Sequence, residues 1–233
     1  MRPLVIIPTY NERANLPALV EQLLTIPDLR VLIVDDASPD GTGQIADEYA
    51  ASSRARVQVL HRKGRRGFGL SCIDGMYVAL RTDSTHILQM DADLSHNPAD
   101  IPRLLQAAER AEFVIGSRYV PGGKIENWPI QRRVLSAFAN RYIRAITRMT
   151  IRDCTSGFRC WRREALERLP LASIRSDGYA FIVELAWEAS RAGFRCAEVP
   201  ITFVERREGA SKLSWAVIIE SAILPWRLAG RPR

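Results

Sequence analysis

Residues 86–98 read HILQMDADLSHNP, a short apolar run that ends in two carboxylates one residue apart, Asp91 and Asp93. Such a run predicts a buried strand with both carboxylates at its exposed end. Two ionised carboxylates this close repel each other unless a cation lies between them, and Mg²⁺ and Mn²⁺ prefer oxygen ligands. A second interpretation stays open, in which the pair only ends the strand and begins a turn, with Asp93 or Ser95 as a cap.

The first half of the chain alternates apolar runs with amphipathic helical patterns. The five candidate strands are residues 4–7, 31–36, 57–60, 86–90 and 113–116, and the helical patterns are 14–26, 42–52, 68–81 and a segment from about 99. This alternation predicts an α/β fold whose mostly parallel sheet is covered on both faces. Right-handed crossovers would bring the carboxyl ends of the strands to one edge, where ligands bind in open α/β sheets. Three polar clusters fall at that edge: PTYNE (8–12), DDASPDG (35–41) and DADLSHNP (91–98).

Composition restricts the class of protein. The chain has 233 residues, of which 47% are hydrophobic and 25% charged, as expected for one large folded α/β domain. Its net charge of +7 favours phosphate-bearing ligands or an anionic membrane surface. The sequence contains no helix-turn-helix, zinc-finger or aromatic RNA-reading motif, so we expect no nucleic-acid partner.

The cysteines and the hydropathy pattern predict the compartment. The four cysteines lack CxxC spacing and the three histidines stand apart, which disfavours a zinc site and favours a reducing, cytosolic compartment. No run of about 20 apolar residues is present, so we expect a chain that neither crosses a membrane nor is exported.

Two segments of the second half are amphipathic. The first predicted helix carries one apolar side and one basic side: Leu135, Phe138, Ala139, Tyr142, Ile143, Ile146 and Met149 against Arg141, Arg144, Arg148 and Arg152. It fits either a lipid interface or a core-packing helix with a solvated arginine face. The second segment, residues 213–233, is interrupted by Pro225, and its Trp215, Trp226 and Arg227 suit a headgroup region, a hydrophobic partner or packing onto the domain.

The motifs PTYNE, VDDASPDGT and DADLSHNP resemble those of family-2 glycosyltransferases with the GT-A fold. GSRYVPGGKIENW, DCTSGFR and EVPITFVERREGASKLS extend the resemblance over nearly the whole chain, toward the bacterial polyprenol-phosphate (dolichol-phosphate) mannose synthases. The resemblance implies a single GT-A (Rossmann-like) domain over residues 1–212, including an acceptor loop and interface helix at about 118–152. Residues 213–233 would form a C-terminal amphipathic segment facing a membrane or a partner.

The implied activity is metal-dependent, inverting transfer of mannose from GDP-mannose to polyprenyl phosphate. Mg²⁺ or Mn²⁺ would be the cofactor, and the enzyme would lie on the cytoplasmic face of the membrane, alone or with a separate membrane-anchoring subunit. Two alternatives remain: a polyprenyl-phosphate glucosyltransferase that uses UDP-glucose, and a non-catalytic membrane-docking module.

The resemblance also implies site residues. Asp91, Asp93 and Arg118 would be catalytic, with Arg118 between the donor and acceptor phosphates. The residues implied for the donor nucleotide and diphosphate are Pro8, Tyr10, Glu12, Val34, Asp36, Ala92, Ser95, Arg206 and Lys212. Those implied for the acceptor phosphate are Arg132 and Ser136, with Arg133 as the alternative to Arg132, and those implied for the metal are Asp91, Asp93 and Ser95.

Two of these assignments carry alternatives. Relatives often have glutamine at the position of Ser95, which puts the metal shell in doubt. Tyr10 and Glu12 also fit a hydrogen-bonded first turn of the following helix. Asp40 and Gly41 are expected to form a turn and helix start rather than ligand contacts.

Overall fold

The first half of the chain folds close to the predicted pattern. A computed structural model describes residues 1–174, 176–205 and 215–231, with only the backbone described for residues 215–221. The strands of this half are β1 (Pro3–Thr9), β2 (Arg30–Asp35), β3 (Val57–His61), β4 (His86–Gln89) and β5 (Phe113–Ser117). The helices between them are α1 (Leu16–Leu24), α2 (Thr42–Ser52), α3 (Phe68–Leu80) and α4 (Ile101–Ala107).

The described part of the second half adds further strands and α-helices. The strands are β6 (Lys124–Glu126), β7 (Arg159–Arg162), β8 (Cys196–Pro200) and β9 (Thr202–Val204). The helices are α5 (Ile130–Thr147), α6 (Arg163–Glu167), α7 (Gly178–Arg191) and α8 (Trp215–Ala229). The helix α8 runs through Pro225, so the predicted interruption there is wrong.

The central sheet has seven strands in the order β3-β2-β1-β4-β7-β5-β8. All neighbours pair in parallel except β7, which is antiparallel to both β4 and β5. The predicted α/β fold with a mostly parallel sheet is therefore confirmed. Strands β6 and β9 form a separate parallel pair.

The unbroken apolar runs reflect burial of both sheet faces. In β1, Leu4 and Ile6 pack into one buried cluster while Val5 and Ile7 pack into another on the opposite face. Side chains alternate between faces along a strand, so a strand covered on both sides can be apolar at successive positions. Helices α1, α2 and α4 cover one face, and α3 and α7 cover the other.

Helix α8 packs against α5 and α7 and buries Leu224 and Leu228. The apolar side of α5 is divided, because Ile143 is buried whereas Phe138 is 65% exposed. Nowhere in the described ranges is a helix both long and apolar enough to cross a bilayer.

Candidate active site

Polar residues from four strands meet at one edge of the sheet, as the sequence predicts. Tyr10, Asp36, Asp91 and Arg118 directly or nearly follow β1, β2, β4 and β5. Because β4 and β5 are both antiparallel to β7, they point the same way and end at the same edge. The antiparallel β7 brings its preceding loop, residues 153–157, to that edge as well, which the sequence interpretation did not anticipate.

The carboxylates of Asp91 and Asp93 lie in close contact with neighbouring residues. A Cβ added at Gly157 would lie 3.2 and 3.3 Å from the two carboxylate oxygens of Asp91, so the absence of a side chain there makes room for this group. The backbone N–H and the hydroxyl of Ser95 both donate to Oδ1 of Asp93, at 3.1 and 2.6 Å. Ser95 therefore orients Asp93, and direct metal ligation by Ser95 stays a prediction.

His96 supports this pair from inside the protein and was missed by the sequence interpretation. Its ring stacks on Phe158 at 5.1 Å and meets Phe203 edge-on at 5.3 Å. Burial lowers the pKa of His96 to about 4, although the Asp93 carboxylate opposes the shift. The ring is therefore neutral near pH 7, and its Nδ1 accepts the backbone N–H of Asp91 at 3.4 Å.

The donor set fits a divalent cation that shares its ligands with a substrate. Asp91 and Asp93 both line the same cavity, so two hard oxygen donors are available. Within the described part of the chain, no three His, Cys, Asp or Glu side chains cluster to form a complete metal site. Mg²⁺ is commonly bound by one or two carboxylates together with substrate phosphates, and two carboxylates are what this cavity supplies.

Arg118 is buried and held by an acidic partner. Its Nε and Nη2 donate to Oδ2 and Oδ1 of Asp153, at 2.8 and 2.7 Å, and Nη2 also donates to the Thr155 hydroxyl at 2.7 Å. Among the described residues, Nη1 donates no hydrogen bond, and Arg118 lines the cavity. The guanidinium is thus fixed on one side and able to donate on the other.

Arg132 and Ser136 lie four residues apart on α5 and both line the same cavity as Arg118. Arg133 is exposed and lines a neighbouring cavity that Arg118 also borders, so Arg132 and not Arg133 lies in the cavity of the carboxylates. Nη1 of Arg132 donates to both carboxylate oxygens of Glu205, at 2.7 and 2.6 Å. Its guanidinium also stacks 3.9 Å from the ring centroid of Trp128.

The cavity has a volume of about 440 Å³ and combines this polar lining with apolar walls. The walls come from α5, α7 and α8, through Leu135, Phe138, Ile143, Ile182, Val183 and Leu224. Tyr142 joins two of these helices, because its hydroxyl donates to the Ala222 carbonyl at 2.8 Å and accepts from Trp226 Nε1 at 2.9 Å. A ligand with an anionic head and an apolar tail matches such a lining.

The residues predicted to bind the nucleotide lie beside β1 and β2 and make contacts of their own. Asp36 is buried, forms a short ion pair with Arg62 and accepts the backbone N–H of Gly67 at 2.8 Å. Tyr10 hydrogen-bonds to Arg66, whose guanidinium lies 5.0 Å from the tyrosine ring centroid. The sequence interpretation missed these arginines, because their pairing joins residues 26 to 56 positions apart.

Glu12 takes part in the hydrogen-bonded first turn of α1, as the alternative to nucleotide binding predicted for this residue. Its Oε2 accepts from the Asn15 amide at 2.8 Å, and its backbone carbonyl accepts from the N–H groups of Asn15 and Leu16. The predicted turn and helix start at Asp40 and Gly41 is confirmed, because Asp40 accepts the Thr42 N–H at 3.0 Å.

Of the remaining predicted residues, Val34 and Ala92 are buried, Pro8 is half-buried, and two others lie outside the described part of the chain. Val34 and Ala92 have buried side chains, and Pro8 pairs with Val34 across β1 and β2, so Val34 and Ala92 can offer a ligand chiefly their backbone groups. Arg206 and Lys212 lie outside the described residues.

Comparison with known proteins gives a consistent set of matches. The family model of Glycosyl transferase family 2 matches residues 4–170. The chain is 47% identical to polyprenol monophosphomannose synthase of Mycolicibacterium smegmatis, over 99% of this chain and 88% of that protein. It is 44% identical to undecaprenyl-phosphate mannosyltransferase of Micrococcus luteus, over 99% of this chain and 96% of that protein.

Solved structures show the same fold at lower sequence identity. The crystal structure of glucosyl-3-phosphoglycerate synthase from Mycobacterium tuberculosis, in complex with Mn²⁺, uridine diphosphate and phosphoglyceric acid, superposes with a TM-score of 0.71. The identity is 17%, and the match covers 99% of this chain and 79% of that one. At this identity the similarity concerns the fold alone.

Proposed function

The chain belongs to glycosyl transferase family 2, and from that membership and the cavity at the sheet edge we propose that it transfers mannose from GDP-mannose to a polyprenyl phosphate. An oxygen of the phosphate monoester forms a bond to C1 of mannose as the bond from C1 to GDP breaks, with inversion. The products are a β-linked polyprenyl phosphate mannose and GDP. The two similar proteins named for mannosyl transfer to polyprenyl phosphates support this choice of acceptor and sugar.

The observation that carries the proposal is one cavity with both kinds of lining. Arg118, Arg132 and Ser136 provide donors for a phosphate, and the adjoining walls from α5, α7 and α8 are apolar. Guanidinium groups bind phosphate through paired hydrogen bonds, and an isoprenoid tail gains free energy where it leaves water. A fully water-soluble acceptor would gain little from apolar walls, because it has no apolar tail to bury.

The reaction needs little proton transfer. A phosphate monoester has a second pKa of about 6, so the acceptor is already largely ionised near pH 7 and needs no general base. Arg118 and Arg132 orient the attacking oxygen, and Arg118 lines the same cavity as the two carboxylates. A divalent ion held by Asp91 and Asp93 would supply positive charge to the departing diphosphate.

The donor is proposed to bind along the ends of β1 and β2. Tyr10, Glu12 and Asp36 lie there, and Pro8 and the backbone of Val34 border them. The backbone of Ala92 lies between the two carboxylates, and Arg206 and Lys212 are assigned to the diphosphate by resemblance alone.

The enzyme is proposed to work at the cytoplasmic surface of a membrane, where its acceptor resides. On α5, Val134 and Phe138 are 62% and 65% exposed, and on α8 Trp226 is 63% exposed. Arg133 and Arg141 are exposed on the same helix α5, which suits anionic headgroups. Attachment through a separate anchoring subunit is the alternative, and purified protein that fails to sediment with anionic vesicles would favour it.

A donor and acceptor screen tests the proposed reaction. Purified protein is incubated with polyprenyl phosphate and either GDP-mannose or UDP-glucose, with Mg²⁺, Mn²⁺ or EDTA. Mannosyl lipid that forms only with GDP-mannose and a divalent ion supports the proposal. Glucosyl lipid in place of mannosyl lipid would replace it with the glucosyltransferase alternative.

A matched pair of variants tests the assignment of the carboxylates. Asp91→Asn removes one charge at the proposed metal position, whereas Asp47→Asn removes an exposed carboxylate on α2. We expect the first to reduce turnover by at least about 100-fold and the second to leave it near wild type. Full turnover in Asp91→Asn would refute this assignment. If the wild-type protein binds lipid but shows no turnover with any donor, that result would favour the docking module.

A further inference from the structure

The hydroxyl of Thr155 joins Arg118 to helix α5. It accepts one hydrogen bond from Nη2 of Arg118 at 2.7 Å and another from Nδ2 of Asn140 at 3.1 Å. It donates its own proton to Oδ1 of Asp153, 3.3 Å away. A hydroxyl has one donor and two acceptor lone pairs, so every hydrogen-bonding position of this group is used.

Asn140 fixes the other side of this junction. Its side chain is buried, and its Oδ1 accepts the backbone N–H of Cys154 at 2.8 Å. An N–H can only donate, so this contact settles which end of the amide is oxygen and leaves Nδ2 to donate to Thr155. The same Nδ2 donates to the Ser136 carbonyl at 3.0 Å. The orientation of Asn140 is thus determined by its neighbours.

Asn140 lies on the face of α5 that carries the proposed acceptor contacts. Arg132, Ser136 and Asn140 follow each other at intervals of four residues, and residues at this spacing share one face of a helix. Arg118 instead belongs to the loop after β5 and is held by Asp153. The donors proposed to share one phosphate therefore come from two separate elements.

The position of helix α5 relative to the sheet edge must be fixed if its residues are to meet Arg118. Tyr142 ties α5 to α8 and Arg132 ties it to Glu205, but neither contact reaches the loop that holds Arg118. The hydrogen bonds of Asn140 to Cys154 and Thr155 do fix it, because they need donor and acceptor within a few tenths of an ångström.

We propose that Thr155 is a positioning residue for glycosyl transfer, which sets Arg118 in register with Arg132 and Ser136 so that all three converge on the phosphate of the acceptor. The proposal rests on the function proposed above. Thr155 also lines the cavity, but its hydroxyl uses all its hydrogen-bonding positions within the protein, so the role assigned to it is positioning and not direct hydrogen bonding to the phosphate.

The test compares Thr155→Val, which keeps the shape but removes the hydroxyl, with Thr155→Ser, which restores the hydroxyl. We expect Thr155→Val to raise the acceptor KM and lower kcat/KM for the acceptor by about 10-fold to 100-fold, because ångström-scale misplacement has effects of this size. The KM for the sugar nucleotide should stay within about twofold of wild type, and Thr155→Ser should recover most of the loss. Thr155→Ala also lacks the hydroxyl and replaces the valine variant if that variant does not fold.

Binding of geranyl phosphate, a ten-carbon isoprenyl monophosphate, is measured by calorimetry as a readout independent of turnover. Weaker binding in Thr155→Val but not in Thr155→Ser supports the proposal. Wild-type binding and acceptor KM in Thr155→Val, or equal impairment in Thr155→Ser, would overturn it. Arg118→Ala separates this from failure of the proposed function: if that variant also binds geranyl phosphate normally, the cavity is not the acceptor site.

Discussion

Asp153→Asn should lower the free energy of unfolding by about 3 kcal/mol, because it removes one partner of a buried ion pair. The side chains of Asp153 and Arg118 are 0% and 6% exposed. Oδ2 accepts from the backbone N–H and Nε of Arg118, and Oδ1 accepts from Nη2 of Arg118 and from Thr155. An asparagine whose amide oxygen takes the place of Oδ2 still accepts from the backbone N–H and Nε of Arg118. Its NH₂ group then takes the place of Oδ1 and faces Nη2 of Arg118, so that two donors meet.

The size of the loss follows from these contacts. Breaking a buried pair costs about 3–5 kcal/mol, and the two retained hydrogen bonds place this variant at the lower end. A domain with a typical stability of about 5–15 kcal/mol would still fold. For a chain of this size, a loss of about 3 kcal/mol corresponds to a decrease in Tm of about 6–12 °C.

Urea unfolding measures this loss against a matched control. Glu112→Gln removes the carboxylate of the Arg195–Glu112 pair, whose side chains are 27% and 69% exposed for the glutamate and the arginine. Exposed pairs contribute at most about 1 kcal/mol, so the control should lose little. A loss below about 1 kcal/mol in Asp153→Asn, or one equal to the control, would refute the buried-pair interpretation.

The pH dependence gives a second check. Burial raises the pKa of Asp153, but the charge and hydrogen bonds of Arg118 outweigh it, so the folded-state pKa lies below 3.8. A depressed carboxyl pKa contributes stability that is fully present above the unfolded value and is lost as the pH falls through the folded one. The difference between wild type and Asp153→Asn should therefore narrow below about pH 3.8, and a difference that widens in acid would contradict this account.

Three further changes test other parts of the site. Glu205→Gln leaves Arg132 without its carboxylate partner, which competes with the acceptor phosphate for this arginine, so the acceptor KM should fall by about 3-fold to 5-fold. An unchanged or higher acceptor KM would argue against this competition. Phe138→Ser should weaken sedimentation with anionic vesicles by about 10-fold, whereas Tyr77→Ser on α3 should not; equal effects would exclude α5 as the lipid contact. Burial raises the pKa of the Cys154 thiol to about 12, so iodoacetamide at pH 8 should label it only after unfolding, and rapid labelling of the native protein would contradict its burial.

The strands in the parallel half of the sheet could be predicted from the sequence, because one physical effect, burial of both sheet faces, explains their pattern. Residues such as Val31 and Ile33 face one apolar cluster and Leu32 and Val34 face the other, so burial on both faces produces continuous apolar runs. The positions of Tyr10, Asp36, Asp91 and Arg118 then follow from the direction of the strands.

Strand β7 could not be predicted in this way, because its sequence RCWR has charged residues at both ends. The buried Arg159 is accommodated by hydrogen bonds from Nε to the Ser156 carbonyl at 2.9 Å and from Nη2 to the Cys154 carbonyl at 3.0 Å. Those bonds join the arginine to the loop of Asp153 and depend on the folded chain. No local pattern reveals that a carboxylate 35 residues away will pair with Arg118.

Helix α5 shows why two interpretations of one amphipathic pattern can both hold in part. The same apolar stripe contains Ile143, which packs in the core, and Phe138, which remains 65% exposed. Hydrophobic periodicity identifies the stripe but not what covers it. The division depends on where α8 lies, and α8 is distant in the sequence.

The charges around the cavity predict that acceptor binding depends on a divalent ion. Among the described residues, the carboxylates of Asp91, Asp93 and Glu205 and the guanidinium groups of Arg118 and Arg132 line the cavity. A phosphate with a charge near −2 is therefore repelled by these carboxylates as well as attracted by the two arginines.

A divalent ion bound with the donor would offset the repulsion from the carboxylates before the acceptor enters. We expect the Kd of geranyl phosphate, measured by calorimetry, to fall by at least about 10-fold when Mg²⁺ and GDP are added to EDTA-treated protein. Asp93→Asn should bind it more tightly than wild type in EDTA, because the variant lacks one of the repelling charges. Equal affinity with and without the metal would mean that Arg118 and Arg132 alone determine acceptor binding, and that the carboxylates of Asp91 and Asp93 are too well screened from the phosphate to matter.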